Sequence, residues 1–223
     1  MFKSKELIIF DMDGTLIDSA PSLIYAINYT LQKLGLEQID YEIGKSYIGK
    51  GSEILIKRAL VKDINYQNHH IDSKLFKEAH RVFLEFYGAN LNAKTTLYEG
   101  ALETLDALKK HKLKLALATN KPHQFVKDML KHFQIDSYFD IFLGAGVVAN
   151  KKPHPDILLE CIKRVASSKD RAVMVGDSNN DIQAANRANI DSIFVTYGYC
   201  TNSDAIKADL KVDKINQIVK YLI

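Results

Sequence analysis

Leu7 to Thr15 reads LIIFDMDGT, an apolar run that stops at two aspartates and passes into glycine and threonine. Four consecutive apolar residues, Leu7 to Phe10, suit a strand buried on both faces, as in a parallel sheet. Asp11 and Asp13 then sit where that strand leaves the core, at the carboxyl end where open α/β sheets bind ligands. Alternation along a strand lets both acids point one way and Met12 the other. Gly14 permits a sharp turn and the close approach of a ligand. Two carboxylates this close repel, so the pair calls for a cation, a shared proton or a role that keeps one acid neutral. Taken alone, the stretch also suits a strand that ends in a solvated Asp/Gly turn.

Composition narrows the classes. With 223 residues, 47% of them hydrophobic, the chain can bury a real core, and its length suits one domain plus an insertion or two small domains. A net charge of +3, with 26% charged residues in mixed order, leaves no basic tract of the kind that binds nucleic acid. Cys161 and Cys200 have neither metal-like nor framework-like spacing, which fits free thiols in a reducing compartment. The opening MFKSKELIIF meets Asp11 too soon for a signal or membrane-spanning segment. The expectation is a soluble cytoplasmic protein with no nucleic-acid or membrane partner, a monomer or a homodimer.

From Ser19 to about Asn90 the pattern becomes helical. Leu23, Ile27, Thr30, Leu31 and Leu34 recur at spacings of three and four after Ser19 and Pro21, up to Gly35. Further helices are expected over Tyr41 to Ile48, Ser52 to Val61 and Ser73 to Tyr87, with no strand among them. A helical block directly after the first strand reads as an insertion, so residues 18–90 are expected to form a small helical cap domain and residues 1–17 with 91–223 the α/β core. Two connections, near Ile17 to Ser19 and Ala89 to Thr96, would make a hinge. Inside the block, IGKGSE (Ile48 to Glu53) places a lysine between glycines at a helix start, where amides near Ser52 and the charge of Lys50 favour an anion. A connecting turn with a solvated lysine is the competing reading, and Lys45, Lys57 and Arg58 carry the same ambiguity. His69 and His70, in a polar connection, read as solvated.

Strand and helix alternate again after Thr96. Helices are expected over Glu99 to Lys110, His123 to Phe133, Pro155 to Ala166, Asp181 to Ala188 and Ile215 to Leu222. Strands are expected over Leu113 to Ala118, Tyr138 to Leu143, Ala172 to Val175 and Ile193 to Thr196, with an edge segment at Asp209 to Val212. Repeated β-α-β units with short connections predict a doubly wound parallel sheet, Rossmann-like, with right-handed crossovers.

The residues just beyond each strand point to chemistry. Thr119 and Asn120 come after the second core strand, GDSNND with Asp177 and Asp181 after a later one, and KKPHP (Lys151 to Pro155) lies between, its prolines stiffening a loop that holds a lysine. Parallel strands bring these ends to one edge, where Asp11, Asp13, Asp177 and Asp181 would crowd together. Such crowding costs several kcal/mol unless something positive sits in it. Oxygen ligands in this number suit Mg²⁺ better than Ca²⁺, and there is no His/Cys set for zinc. Thr119, neighbouring backbone amides and Lys152 would receive a dianionic phosphoryl group, so the constellation describes phosphoryl transfer.

DMDGT, TN, KP and GDSNND, in this order, resemble the four motifs of the haloacid dehalogenase-like hydrolase superfamily, and the helical insertion resembles its cap. ATNKPH (Ala118 to His123), NKKPHPD (Asn150 to Asp156), GDSNNDIQAA (Gly176 to Ala185), TYGY (Thr196 to Tyr199) and IGKGSEILIKRAL (Ile48 to Leu60) resemble more closely its bacterial phosphoglycolate phosphatase branch. The likeness covers nearly the whole chain and is weakest over Asp63 to Ser73.

The resemblance implies a Mg²⁺-dependent phosphatase of a small phosphorylated metabolite. Asp11 would be the nucleophile that forms an aspartyl-phosphate, and Asp13 the acid and then the base, in surroundings that favour its neutral form. Asp11, Asp177 and the backbone carbonyl of Asp13 would hold the metal, with Asp181 contributing directly or from behind. Gly14, Thr119 and Asn120 would orient phosphoryl oxygens, and Lys152 would neutralise Asp11 and the phosphate. The dehalogenase branch is disfavoured, because breaking a carbon–halogen bond needs neither Asp13 nor a metal-binding acid pair. If the substrate is 2-phosphoglycolate, Lys50 and Ser52 are candidates to meet its carboxylate. A sugar phosphatase, a pyrophosphatase, a phosphomutase and a non-catalytic binding relative are the alternatives.

Overall fold

The computed structural model describes residues 2–200 and 203–223. The chain opens with β1 (Leu7–Phe10), in which every residue is fully buried, and β2 (Ile17–Asp18). The helices α1 (Ala20–Lys33), α2 (Tyr41–Ser46), α3 (Ser52–Val61) and α4 (Ser73–Ala89) come next, and β3 (Thr96–Leu97) pairs with β2 in a two-stranded sheet. Then come α5 (Ala101–Lys110), β4 (Lys114–Pro122), α6 (His123–His132), β5 (Ile141–Ala145), α7 (Asp156–Arg164), β6 (Ala172–Gly176), α8 (Asn179–Ala188), β7 (Asp191–Val195), β8 (Leu210–Val212) and α9 (Val219–Leu222). The chain divides into two compact units, one of residues up to Asp18 with Leu97–Ile223, the other Ser19–Thr96.

In the first unit, among the described residues, six strands form one sheet in the order β5-β4-β1-β6-β7-β8, with parallel pairing throughout. The fold is thus α/β and doubly wound. The order runs outward from β1 to β4 and β5, then restarts at β6 on the other side of β1. That reversal is the topological switch point, where the carboxyl ends of β1 and β6 leave a crevice. Register places Phe10 beside Val175, so the residues just beyond, Asp11 and Asp177, leave the sheet near one another. Leu7 and Ile9 pack with Ala116, Ala118, Met174 and residues of α7 and α8. Such two-sided burial is what an uninterrupted apolar strand requires.

β4 runs to Pro122, past the expected end at Ala118, and its register against β5 shifts between Ala118 and Pro122. An irregularity of this kind bends a strand and re-aims its side chains. β5 begins at Ile141 rather than Tyr138, because Tyr138 N–H bonds back to Ile135 in a 3₁₀ turn over Asp136–Tyr138. The expected last helix divides into a 3₁₀ turn, Ile215–Ile218, and the short α9. Both cysteines are free, and Cys161 is buried.

In the second unit, α1 buries Leu23, Ile27, Thr30 and Leu31, and Tyr29 stacks on Phe86 of α4 at 3.8 Å between ring centres. Asp40 and Asp72 accept from Glu42 N–H and Leu75 N–H at the starts of α2 and α4, each satisfying an otherwise orphaned donor. Arg58 is buried and donates to the carbonyls of Tyr47 and Ile64, so it is a structural cation rather than a solvated one. His69 is exposed and lies 2.8 Å from an oxygen of Asp63. No helix among the described residues is long and apolar enough to cross a membrane.

Candidate active site

The carboxyl ends of β1, β4 and β6 bring together most of the residues singled out by the motifs. Asp11 follows β1, Thr119, Asn120 and Lys121 lie in the irregular part of β4, Asp177 follows β6, and Asp181 belongs to the first turn of α8. Carboxylate oxygens of Asp11, Asp177 and Asp181, all buried, lie within 4.8 Å of one another. This trio could hold a metal ion. The fit is chemical as well as geometric: three hard anionic donors are packed together, and burial makes their unneutralised repulsion expensive.

Lys152 answers part of that charge. It is 3% exposed, and its Nζ lies 2.6 Å from Asp181 Oδ1, 3.0 Å from Asp11 Oδ1 and 2.7 Å from the carbonyl of Ala118. Burial by itself would lower the ammonium's pKa, but the charges of Asp11 and Asp181 outweigh it and hold the group protonated. One ammonium does not satisfy three acids. Burial pushes Asp11 up to about 7, against the pull of Lys152 and with the charge of Asp181 adding to the rise. Asp177 is raised well above the carboxylate range, first by burial and then by Asp181 and Asp11. A divalent cation would offset the mutual repulsion that adds to both shifts.

Each acid is fixed by its own donors. Asp11 Oδ1 accepts from Met12 N–H at 2.7 Å. Asp177 Oδ1 accepts from Thr15 Oγ1 at 3.1 Å, and Oδ2 from Tyr199 N–H at 2.8 Å. Asp181 Oδ2 accepts from the amide and hydroxyl of Ser178 at 3.0 and 2.6 Å, in the capping box that starts α8. The site admits no bulk around Asp177. A Cβ on Gly14, whose φ is +83°, would stand 2.3 Å from Asp177 Oδ2, and one on Gly198 would stand 2.2 Å from Asp177 Cβ.

Two side chains make contacts that the motifs do not predict. Asn120 donates through Nδ2 to the carbonyl of Lys152 and accepts through Oδ1 from its N–H, both at 2.9 Å, so its side chain fixes the loop that carries the lysine. The motifs assign no role to Lys121. It is 4% exposed, and its Nζ lies 2.9 and 3.0 Å from the two oxygens of Asp13. Asp13 therefore faces an ammonium contributed by β4. A signal was present: Lys121 stands two positions after Thr119, which in an extended segment returns to the same face. Thr119 is buried, and its Oγ1 accepts from Lys121 N–H at 3.2 Å. Lys50 and Ser52 belong to the helical unit, Lys50 exposed in the turn before α3 and Ser52 half-buried as its first residue.

The model of the haloacid dehalogenase-like hydrolase family matches residues 8–195, a span that holds every acid of this cluster. The chain belongs to that family. A protein from Colwellia psychrerythraea named phosphoglycolate phosphatase is 40% identical over 202 residues, 91% of this chain and 89% of the relative. A crystal structure from Haemophilus somnus, described as a predicted phosphoglycolate phosphatase, superposes with a TM-score of 0.90 at 34% identity and covers 98% of both chains. CbbY from Rhodobacter sphaeroides, solved in complex with phosphate, superposes with a TM-score of 0.80 at 25% identity, with 96% of each chain covered. The family resemblance of the motifs therefore holds, and the chain is a phosphoric monoester hydrolase.

Proposed function

We propose that this hydrolase acts on 2-phosphoglycolate in the cytoplasm, depends on Mg²⁺ and passes through an aspartyl-phosphate. The observation that carries the reading is the clustering of Asp11, Asp177 and Asp181 at the switch point of the sheet, with the buried ammonium of Lys152 against Asp11 and Asp181. The names of the relatives support the choice of substrate.

In this reading Asp11 attacks phosphorus, and the bond from phosphorus to the ester oxygen breaks as the bond to Asp11 forms. Asp13 gives a proton to the departing alkoxide, then takes one from the water that cleaves the aspartyl-phosphate to phosphate and free Asp11. Met12 N–H and Lys152 both hold Oδ1 of Asp11, which leaves the other carboxylate oxygen for that attack. Lys152 also offsets charge on the phosphoryl group, which Gly14, Thr119 and the backbone near Asn120 orient. Asp11 and Asp177, with the backbone carbonyl of Asp13, would hold Mg²⁺, while Asp181 anchors Lys152 and closes the set. The bound ion supplies positive charge that offsets the phosphoryl oxygens and the acids. Lys50 and Ser52 are further proposed substrate contacts.

The test is phosphate release across a metabolite panel, with Mg²⁺ and after chelation. The expected result is Mg²⁺-dependent release in which kcat/KM for 2-phosphoglycolate exceeds that for sugar phosphates, pyrophosphate and nucleotides. A higher value for any of those classes would move the substrate assignment to it, and metal-independent turnover would remove the Mg²⁺ assignment.

A further inference from the structure

Lys121 carries a full charge that the steps above do not use. Its side chain is 2% exposed, whereas that of Asp13 is 15% exposed, so solvent reaches the pair from the side of the acid. A buried ammonium is costly unless paired, and it persists where its charge has a partner to meet. The metal-binding trio does not explain it. Lys152 already occupies the position against Asp11 and Asp181, and its Nζ contacts are made to those acids and to the carbonyl of Ala118. Lys121 instead addresses Asp13, at 2.9 and 3.0 Å from its two oxygens. The register shift in β4 places it there.

We propose that Lys121 recognises the carboxylate of the leaving group, with Asp13 as its counter-ion while no substrate is bound. The proposal rests on the reading of Asp13 as the group that protonates the ester oxygen. In 2-phosphoglycolate a single methylene separates that oxygen from the carboxylate carbon. An ester oxygen within hydrogen-bond reach of Asp13 therefore carries its carboxylate into the neighbourhood where Lys121 Nζ lies. The lysine's flexible stem and rotating donors let Nζ pass from an Asp13 oxygen to a substrate oxygen without displacing the backbone. An ester with an uncharged group in place of the carboxylate would leave that exchange unmade, so the same residue both attracts the carboxylate and discriminates against its absence. Specificity for a short acidic leaving group is then built into the α/β unit itself, beside the acid that handles the proton.

The test compares 2-phosphoglycolate with 2-hydroxyethyl phosphate, in which a hydroxymethyl group replaces the carboxylate. The wild-type chain, Lys121→Met and Lys121→Arg are assayed with Mg²⁺ on both esters, with circular dichroism as the check on folding. Lys121→Gln takes the place of the methionine variant if that variant does not fold. Loss of one charged hydrogen bond lowers the ratio of kcat/KM values, glycolate ester over hydroxyethyl ester, by about 10- to 150-fold. The loss is expected chiefly in KM for phosphoglycolate, and Lys121→Arg restores most of the ratio. An unchanged ratio, with both esters falling together, would mean that Lys121 only positions Asp13 and would overturn the proposal. Wild-type turnover of other phosphate esters but neither of these two would instead defeat the substrate reading, and the proposal with it.

Discussion

Replacing Lys152 with methionine isolates the charge that the acid cluster depends on. Methionine keeps an unbranched apolar stem but removes an ammonium that lies 2.6 Å from Asp181 Oδ1 and 3.0 Å from Asp11 Oδ1. Asp181 is fully buried, so water cannot replace the lost partner. Removing one member of a buried ion pair costs about 3–5 kcal/mol, because the other is left as an uncompensated charge. That is a large share of the roughly 5–15 kcal/mol by which domains are stable. Urea unfolding in the presence of a chelator, monitored by circular dichroism, measures it. The expected result is a lower midpoint for Lys152→Met at unchanged slope. Adding Asp181→Asn should return part of the loss, with a coupling within the roughly 0.5–3 kcal/mol seen for contacting residues. A loss no larger than the roughly 1 kcal/mol of an exposed pair, or strict additivity of the two changes, would refute the reasoning.

Other expectations rest on the same geometry. Asp11→Asn should abolish phosphate release while leaving the circular dichroism spectrum unaltered; retained turnover would remove Asp11 as nucleophile. Gly198→Ala drives a methyl group to within 2.2 Å of Asp177 Cβ, and overpacking of this kind costs about 1–3 kcal/mol, so both the thermal midpoint and Mg²⁺ affinity by calorimetry should fall. Mg²⁺ at a hundredfold excess over its dissociation constant should stabilise the protein by about 2.7 kcal/mol, read as a raised unfolding midpoint relative to chelated protein. Lys50→Ala should raise KM for phosphoglycolate more than for a phosphate ester with a neutral leaving group; equal effects would remove Lys50 from the substrate contacts.

The parts of the fold legible from sequence are those where one physical demand dominates. β1 is readable because four apolar residues in a row admit burial on both faces, and all four are buried. α3 is readable because Gly51 precedes it and apolar residues recur along one face. The gathering of Asp11, Asp177 and Asp181 comes from parallel strands, whose carboxyl ends share an edge. The hidden features depend on contacts distant in sequence. The Asp13 partner lies 108 positions away, on a stretch of β4 whose register shift no local pattern announces. The bond between Asn120 and the Lys152 loop spans 32 positions, and it fixes the loop that carries the lysine. The split of the last helix reflects a local competition: Gln217 Oε1 accepts from the N–H groups of Asp213 and Lys214, tightening the first turn.

The identity of the attacking group is tested most directly by acid-quenching a single turnover of phosphoglycolate labelled in its phosphoryl group and mapping the label after proteolysis. The account predicts label on the peptide containing Asp11 at times shorter than phosphate release, and none in Asp11→Asn. Full turnover with no labelled peptide at any time, or label carried by a different residue, would contradict it.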